Sequence, residues 1–221
     1  MEFFVVIPAS GSGVRFGSGI PKQFHKFGNR EILFHTLDKF LSCKKVNSVF
    51  LSIHPDYLRK KNFLDKLSGS VKPLVVSRGG ATRQESVYRS LLKIKCKSTD
   101  RIIIHDAVRP FVSGKLIDRL ITASKREDCV IPGLELHDTI KRIDRKGYVR
   151  ETIDRETLRS VQTPQVFRYD KLMKAFELAL RGNYTCTDEA SLMEKAGYKV
   201  KIIDGEPTNI KITTRKDIKA K

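Results

Sequence analysis

The sequence predicts an α/β protein with a doubly wound, mostly parallel sheet. Short, continuously apolar segments alternate with segments of helical periodicity, as in parallel sheets that helices cover on both faces. The chain has 221 residues, of which 40% are hydrophobic, enough for the core of one large domain. A glycine-rich loop follows the first apolar segment, and such sheets bind ligands beyond the carboxyl ends of their strands. We therefore expect residues 1–221 to form a single domain with a site at that edge.

The predicted elements follow one another along the chain. Each predicted strand is a short apolar run bounded by polar or turn residues. The strands are EFFVVIP (2–8), NSVFLSI (47–53), PLVVS (73–77), RIIIHD (101–106), DCVIPGLEL (128–136), YKVKIID (198–204) and NIKIT (209–213). Each predicted helix has apolar residues three and four positions apart. The helices are EILFHTLDKFL (31–41), PDYLRKKNFLDKL (55–67), TRQESVYRSLLKI (82–94), SGKLIDRLITASK (113–125), YDKLMKAFELAL (169–180) and DEASLMEKA (188–196).

Residues 136–154, LHDTIKRIDRKGYVRETID, interrupt this alternation. They indicate two polar strands around a turn at Arg145, Lys146 and Gly147. Neither strand has enough apolar surface to stand alone, because an isolated hairpin is marginally stable in water. We therefore expect a protruding β-arm that packs on another surface, and a second subunit is the natural candidate.

The net charge of +18, from 43 basic and 25 acidic residues, has two interpretations. One is a polyanionic partner such as nucleic acid, an acidic membrane or a phosphorylated small molecule. The other is a lysine-rich solvated surface, which is favoured because the basic residues are spread along the whole chain. A nucleic-acid-binding module would show a basic recognition helix or aromatic residues beside basic ones. The sequence has neither, with no tryptophan and six tyrosines, and so argues against a nucleic-acid partner.

The four cysteines indicate the compartment. Cys43, Cys96, Cys129 and Cys186 lack the close pairs of a metal site, and the chain is not a short disulfide-dense one. We therefore expect reduced thiols and a cytoplasmic protein. The apolar N-terminal run is too short for a signal peptide, and no segment approaches the length of a membrane span, so no membrane partner is expected.

The loop ASGSGVRFGSGIPKQF (9–24) departs from two common phosphate-binding loops. A dinucleotide fingerprint needs a third glycine where Phe16 stands, and a Walker A loop ends in Gly-Lys-Ser/Thr, whereas this one ends in Pro21-Lys22-Gln23. What remains is a small-residue backbone that can approach a polyphosphate, with Arg15 and Lys22 to neutralise its charge. The competing interpretation is a surface loop with incidental cations.

Seven segments, in this order, resemble the family of 2-C-methyl-D-erythritol 4-phosphate cytidylyltransferases, which have a nucleotide-diphospho-sugar transferase-like fold. They are PASGSGVRFGSGIPKQF (8–24), GGATRQESV (79–87), HDAVRPF (105–111), HDTIKR (137–142), TIDRETLRSVQTPQVF (152–167), TDEASLMEKAG (187–197) and NIKIT (209–213). Each segment alone is a weak signal, but the ordered set is specific and covers nearly the whole chain. Two positions depart from the family pattern: Ser10 replaces a small apolar residue or glycine, and Phe16 replaces methionine.

The resemblance implies transfer of CMP from CTP to 2-C-methyl-D-erythritol 4-phosphate, in non-mevalonate isoprenoid biosynthesis, with Mg²⁺ sharing the charge of the triphosphate. The attacking phosphate monoester is anionic near neutral pH. The reaction therefore needs positioning and positive charge rather than a general base. A cytidylyltransferase for ribitol phosphate or another pentitol phosphate is the alternative. HDAVRPF and NIKITT suit both groups, whereas DRETLRSVQTPQ and TDEASLMEKAG favour the isoprenoid enzyme.

The resemblance implies four catalytic residues. Arg15 and Lys22 match residues that stabilise the α-phosphate and the leaving pyrophosphate, and Lys211 matches the residue that positions the incoming phosphate. Arg155, beside the arm, matches an arginine that reaches across a homodimer to hold the phosphate of the second substrate. An arginine fork suits this role because it binds phosphate bidentately. The alternative for each is an ordinary exposed cation.

The resemblance also implies a set of substrate-binding residues. The backbone of Gly80 and the hydroxyl of Ser86 match contacts that read the cytosine. Asp106 ends a predicted strand, where it could bind ribose, the hydroxyls of the sugar alcohol or, through water, the metal. Thr139 and Thr163 flank the arm and belong to the site shared between subunits. The full set is Ala9, Ser10, Gly11, Gly80, Ser86, Asp106, Arg109, Thr139, Thr163 and Thr187.

Structural interpretations compete at several of these positions. Thr82 with Glu85 predicts a capping box for the following helix. Arg83 is either a surface cation or a residue that orients the glycine loop.

Three further residues also have a structural alternative. His105 is expected to be a packed or hydrogen-bonding histidine rather than a catalytic one. Arg109 is either a structural ion-pair partner or a residue near the site. Thr187 could cap the next helix, face the substrate, or do both.

Overall fold

A mixed sheet forms the centre of the computed structural model, which describes residues 1–11 and 19–219. The strands are β1 Phe3–Ala9, β2 Lys26–Phe27, β3 Arg30–Glu31, β4 Ser48–Ile53, β5 Leu74–Arg78, β6 Arg101–Ile104, β7 Cys129–Leu134, β8 Ile140–Ile143, β9 Val149–Ile153, β10 Ser160–Val161, β11 Gln165–Arg168 and β12 Lys201–Asp204. The helices are α1 Ile32–Leu41, α2 Pro55–Leu58, α3 Lys61–Asp65, α4 Arg83–Leu91, α5 Gly114–Ala123, α6 Tyr169–Arg181, α7 Glu189–Lys195 and α8 Lys216–Lys219. None of these helices has both the length and the apolar character needed to cross a membrane.

The sheet order is β10-β7-β11-β6-β1-β4-β5, and β12 also pairs with β7. β1 lies between β4 and β6 and is parallel to both. β4 is parallel to β5, and β12 is parallel to β7. β11 is antiparallel to both of its neighbours, β6 and β7. The predicted α/β fold with a mainly parallel sheet is confirmed.

The apolar strands bury side chains on both faces of the sheet because successive residues point to opposite sides. In β1, Val5 and Ile7 enter a core that includes residues of α1 and α5. Phe4 and Val6 enter a second core with residues of α4 and α6. Helices on both faces therefore account for the continuously apolar strands and confirm the doubly wound arrangement.

The structure corrects two predicted elements and adds short elements that were not predicted, β11 among them. Residues 209–213 form no strand: the Asn209 side chain donates to the carbonyl oxygen of Thr163, and the backbone N–H of Ile212 donates to Val108. The predicted helix at 55–67 is two short helices, because Lys60 between them has an extended backbone. β11 was not predicted; its sequence, QVFR, is too short to give a periodic signal.

The arm forms as predicted, from β8 and β9 in an antiparallel pair. Ile143, Tyr148 and Val149 are 59%, 70% and 59% exposed, so the apolar side chains of the arm remain in contact with solvent in one chain. Packing of the arm on a second subunit stays a prediction.

Candidate active site

A cavity of about 590 Å³ opens at the carboxyl ends of four adjacent parallel strands. Ser10 follows β1, His54 follows β4, Gly79 follows β5, and Asp106 lies two residues after β6. The parallel register brings these strand ends to one edge. Lys22, Arg78, Arg83, Arg89 and Lys211 add positive charge to the lining, and Glu85 and Asp106 add negative charge. The cavity is thus suited to an anionic ligand.

The start and the end of the glycine-rich loop are joined by one buried side chain. Gln23 Nε2 donates to the carbonyl oxygens of Ala9, 2.7 Å away, and Gly11, 2.9 Å away. This places the neighbouring Lys22, the first residue of a 3-10 turn, at the cavity. Arg15 lies outside the described residues, so its predicted role stays a prediction. Sequence analysis did not single out Gln23, although it stands directly after the predicted lysine.

The second glycine loop approaches the first so closely that a side chain would not fit. A Cβ added at Gly79 would lie 2.3 Å from Ser10 Cβ, and one at Gly80 would lie 2.5 Å from the Glu85 side chain. The predicted capping pair is present, since Glu85 N–H donates to Thr82 Oγ1 at 3.0 Å. The Glu85 carboxylate accepts from Ala81 N–H at 2.7 Å.

Asp106 is the charged centre of the cavity floor. Its carboxylate lies 2.8 Å from Lys211 Nζ, 3.3 Å from Arg83 Nε and 3.7 Å from Arg109 Nε. Burial alone would raise the pKa of Asp106, but Arg83, Lys211 and Arg109 hold it well below its usual range. Asp106 is therefore ionised at neutral pH, and it fixes the position of cations that come from distant parts of the chain.

Glu189 supports the cavity through Arg83, and sequence analysis missed it. Both of its carboxylate oxygens lie 2.7 Å from Arg83 Nη1, and its side chain is 1% exposed. Burial would lower the pKa of Arg83, but Glu189 and Asp106 outweigh this effect and raise it. Arg83 therefore points inward to two carboxylates and is not a simple surface cation. Its predicted role of orienting the glycine loop stays a prediction. The sequence feature that could have drawn attention to Glu189 is its place in the first turn of α7, directly after the predicted site residue Thr187 and the cap Asp188.

His105, Thr163 and Arg109 form a framework beneath Asp106. The His105 ring nitrogens lie 3.0 Å from the Arg109 carbonyl oxygen and 3.0 Å from Thr163 Oγ1. Thr163 Oγ1 also accepts from Asp106 N–H at 3.0 Å, and Arg109 Nη1 donates to the Asn209 carbonyl at 2.7 Å. The full burial of His105 and its two bonds confirm a packed, hydrogen-bonding histidine, and burial lowers the pKa of His105 to about 4. Thr163 and Arg109 are also buried, and neither borders the cavity.

Five other predicted residues are absent from the cavity lining in the described part of the chain: Ala9, Ser86, Thr139, Arg155 and Thr187. Ala9 and Ser86 are buried. Thr139 and Arg155 are exposed, and the Arg155 guanidinium donates to the carbonyl oxygen of His137. Thr187 is exposed and does not cap α7. Asp188 caps α7 instead, accepting from Ser191 N–H at 3.0 Å. An aspartate competes well for this role because its carboxylate is a strong acceptor beside a helix N-terminus.

The described lining of the cavity offers two carboxylates to a metal ion, those of Glu85 and Asp106. Within the described residues, no cluster of three or more His, Cys, Asp or Glu side chains could hold a metal ion. Mg²⁺ keeps several waters and is commonly bound by one or two carboxylates together with substrate phosphates. Asp106 can supply such a carboxylate.

Comparisons with known proteins identify the family. The family described as IspD, 2-C-methyl-D-erythritol 4-phosphate cytidylyltransferase, matches residues 3–221. The enzyme of that name from Acidobacterium capsulatum is 36% identical, with 99% of this chain and 95% of the relative covered. A bifunctional IspD/IspF enzyme from Paramagnetospirillum magneticum is 39% identical, and this chain spans 54% of its length.

A solved structure gives the same result. The crystal structure of 4-diphosphocytidyl-2C-methyl-D-erythritol synthase from Anaerococcus prevotii has a TM-score of 0.86 and 31% identity, with 99% of this chain and 95% of that chain covered. By both sequence and structure, the chain belongs to the 2-C-methyl-D-erythritol 4-phosphate cytidylyltransferase (IspD) family.

Proposed function

We propose that the chain transfers CMP from CTP to 2-C-methyl-D-erythritol 4-phosphate, giving 4-diphosphocytidyl-2-C-methyl-D-erythritol and pyrophosphate in isoprenoid biosynthesis. As a member of its family, it is a cytidylyltransferase. The observation that carries the proposal is the cavity at the strand ends, which Lys22 lines and where Arg83 and Lys211 contact Asp106. A cation-rich cavity at this edge suits a reaction between two phosphates.

The chemistry depends on charge and position. The phosphate of the acceptor carries nearly two negative charges at neutral pH, so it can attack the α-phosphorus of CTP without a general base. His105 fits this view, because its nitrogens are bonded within the framework and its pKa of about 4 keeps it neutral. The difficulty is to bring one polyanion against another, and cations placed where charge develops lower that barrier.

Two lysines carry the main roles in this proposal. Lys22 stands at the end of the glycine-rich loop, and we assign it, with Arg15, to the α-phosphate and the leaving pyrophosphate. Lys211, 2.8 Å from Asp106, is assigned to the incoming phosphate. Asp106 holds Lys211 on the cavity floor and can also be a ligand of Mg²⁺. When bound, the metal would share the negative charge of the triphosphate.

We further propose a homodimer in which each arm contributes to the site of the other subunit. Two observations support this. Arg155 and Thr139 are exposed and stand apart from the cavity of their own chain. Ile143, Tyr148 and Val149 leave apolar surface on the arm.

The four cysteines are free thiols, which fits the cytoplasm, where we place the reaction.

The decisive experiment measures pyrophosphate release from CTP and Mg²⁺ with either 2-C-methyl-D-erythritol 4-phosphate or ribitol 5-phosphate as acceptor. We expect turnover with the first acceptor and at least a hundredfold lower kcat/KM with the second. Preference for ribitol phosphate would establish the pentitol alternative. Release of pyrophosphate from neither mixture, by protein that is folded, would refute the proposed function.

A further inference from the structure

Gln23 is the buried side chain that joins the two ends of the glycine-rich loop. It is 3% exposed, and its amide nitrogen donates to the carbonyl oxygens of Ala9 and Gly11 at 2.7 and 2.9 Å. A glutamine amide has two N–H groups, so these contacts use both of them. The two acceptors lie on either side of Ser10, where the chain leaves β1. Gln23 therefore fixes the start of the loop to its end.

The turn that contains Gln23 has a second anchor. Gln23 is the middle residue of a 3-10 turn that begins at Lys22 and ends at Phe24. The Phe24 ring is buried and stacks on Tyr57, with the ring centroids 3.5 Å apart. Lys22 borders the cavity at the strand ends. The position of Lys22 thus depends on a turn that the core holds through Phe24 and the loop holds through Gln23.

The two anchors differ in what they specify. The Phe24 contact is apolar, and apolar burial is non-directional, whereas the hydrogen bonds of Gln23 depend on distance and angle. A carboxylate or an apolar side chain of the same length offers no donor for either bond. Among the contacts that the structure describes, Gln23 is therefore the one that sets the distance between Lys22 and the backbone of Ser10 and Gly11, which also line the cavity.

We propose that Gln23 is a positioning residue for Lys22, which it holds beside the loop backbone so that both act on the same phosphates. Gln23 is absent from the described lining of the cavity, so it acts through Lys22. A displacement of a catalytic group by about 1 Å can lower a rate about a hundredfold. The inference rests on the proposed function, because it takes Lys22 as the cation at the α-phosphate and the leaving pyrophosphate.

Two substitutions remove the donors of Gln23 and keep the length of its side chain. Gln23→Met is neutral, whereas Gln23→Glu adds a negative charge. Both kcat and KM are measured from pyrophosphate release with CTP, Mg²⁺ and 2-C-methyl-D-erythritol 4-phosphate, well below the melting temperature of each variant. If one of the two variants does not fold, the other completes the experiment.

Gln84→Met is the matched control. Gln84 also bridges two backbone groups, since it donates to the Tyr184 carbonyl oxygen at 3.2 Å and accepts from Cys186 N–H at 2.8 Å. It is absent from the described lining of the cavity. Its substitution should lower the melting temperature and leave kcat unchanged.

Both Gln23 variants should lower kcat about 10- to 100-fold, because Lys22 is displaced from the transferred phosphates. The KM for 2-C-methyl-D-erythritol 4-phosphate should stay within about twofold of the wild type, since the phosphate of that substrate is assigned to Lys211.

A double-mutant cycle distinguishes positioning from a general structural role. In the Lys22→Ala background, the lysine that Gln23 positions is gone. Gln23→Met should then lower kcat further by less than about threefold. Effects that multiply in the double variant would show that Gln23 acts independently of Lys22, and would overturn the inference.

Three other results would also be decisive. Wild-type kcat in folded Gln23→Met would overturn the inference. A loss of kcat confined to Gln23→Glu would assign the effect to the added charge rather than to the lost donors, and would overturn it as well. A folded wild type that releases no pyrophosphate with either acceptor would instead contradict the proposed function itself.

Discussion

Asp106 and Arg155 are both predicted site residues, yet their surroundings are opposite. Asp106 is buried and contacts cations that come from α4, from the segment after β6 and from the segment at 209–213. Arg155 is exposed and contacts only the base of its own arm, at His137, among the partners that the structure describes. The cavity floor therefore holds its geometry within one chain. In the shared-site proposal, the arm residue takes its working position when the other subunit packs on it.

The largest effect should come from the cavity side of this comparison. Lys22→Ala should lower turnover roughly 10²–10³-fold, because a donor that stabilises charge in the transition state is lost. The measurement is steady-state pyrophosphate release with saturating CTP. Lys26→Ala is the matched control, since Lys26 is exposed and lies outside the cavity lining. Near-normal turnover of folded Lys22→Ala would remove Lys22 from the proposed catalytic residues.

Mixing two inactive variants tests the arm side. Homodimers of Lys22→Ala and of Arg155→Ala are each expected to be defective at both sites. In a heterodimer, a shared site would place both lesions in one cavity and leave the other intact. Activity should therefore return on mixing, to about one working site per heterodimer. If the subunits exchange, as followed by mass spectrometry, and no activity returns, Arg155 serves its own chain.

Breaking the Arg83–Glu189 pair should have a smaller effect on turnover, because it acts on the site only through Asp106. In Glu189→Gln, the guanidinium loses its charged partner and can move toward Asp106, where it competes with Lys211. We expect kcat to fall about tenfold, in line with one charged hydrogen bond, while KM for CTP stays the same or falls because the cavity becomes more positive.

The control for this pair is Glu194→Gln, at an exposed glutamate on the same helix. Kinetics are measured well below the melting temperature of each variant, so that a loss of stability does not lower the rate. A purely structural role would leave kcat of the folded Glu189→Gln unchanged. Wild-type kcat together with a lower melting temperature would therefore disprove the positioning role of Glu189.

Most of the sheet could be predicted from the sequence, because a strand that is buried on both faces is a short, continuous apolar run. Such a run can be recognised without knowing its partners. The predicted strand at 209–213 failed because Asn209 and Ile212 are held by contacts with Thr163 and Val108, far away in the sequence. Glu189 escaped notice for the same reason: its partner Arg83 is 106 positions away. Periodicity reports local structure, whereas partners distant in the chain appear only once the fold brings them together.

The smallest expected effect concerns the framework beneath Asp106 and its dependence on pH. Burial lowers the pKa of His105 to about 4, whereas a histidine in an unfolded chain has a pKa of about 6.5. Between these values the unfolded chain binds a proton that the folded chain does not. The contribution of the buried, neutral His105 to the free energy of unfolding is therefore fully present above about pH 6.5. It decreases as the pH falls toward 4.

For the wild type, this difference predicts a loss of about 1 kcal/mol between pH 7 and 5.5. The measurement is urea unfolding at both pH values, for the wild type and for His105→Gln. The variant should be less stable at both, because the bonds to Arg109 and Thr163 are disturbed, but its stability should change about 1 kcal/mol less over this range. Equal pH dependence in the two proteins would show that other groups cause the loss. It would also show that the buried framework under the cavity floor does not exclude the proton as its geometry indicates.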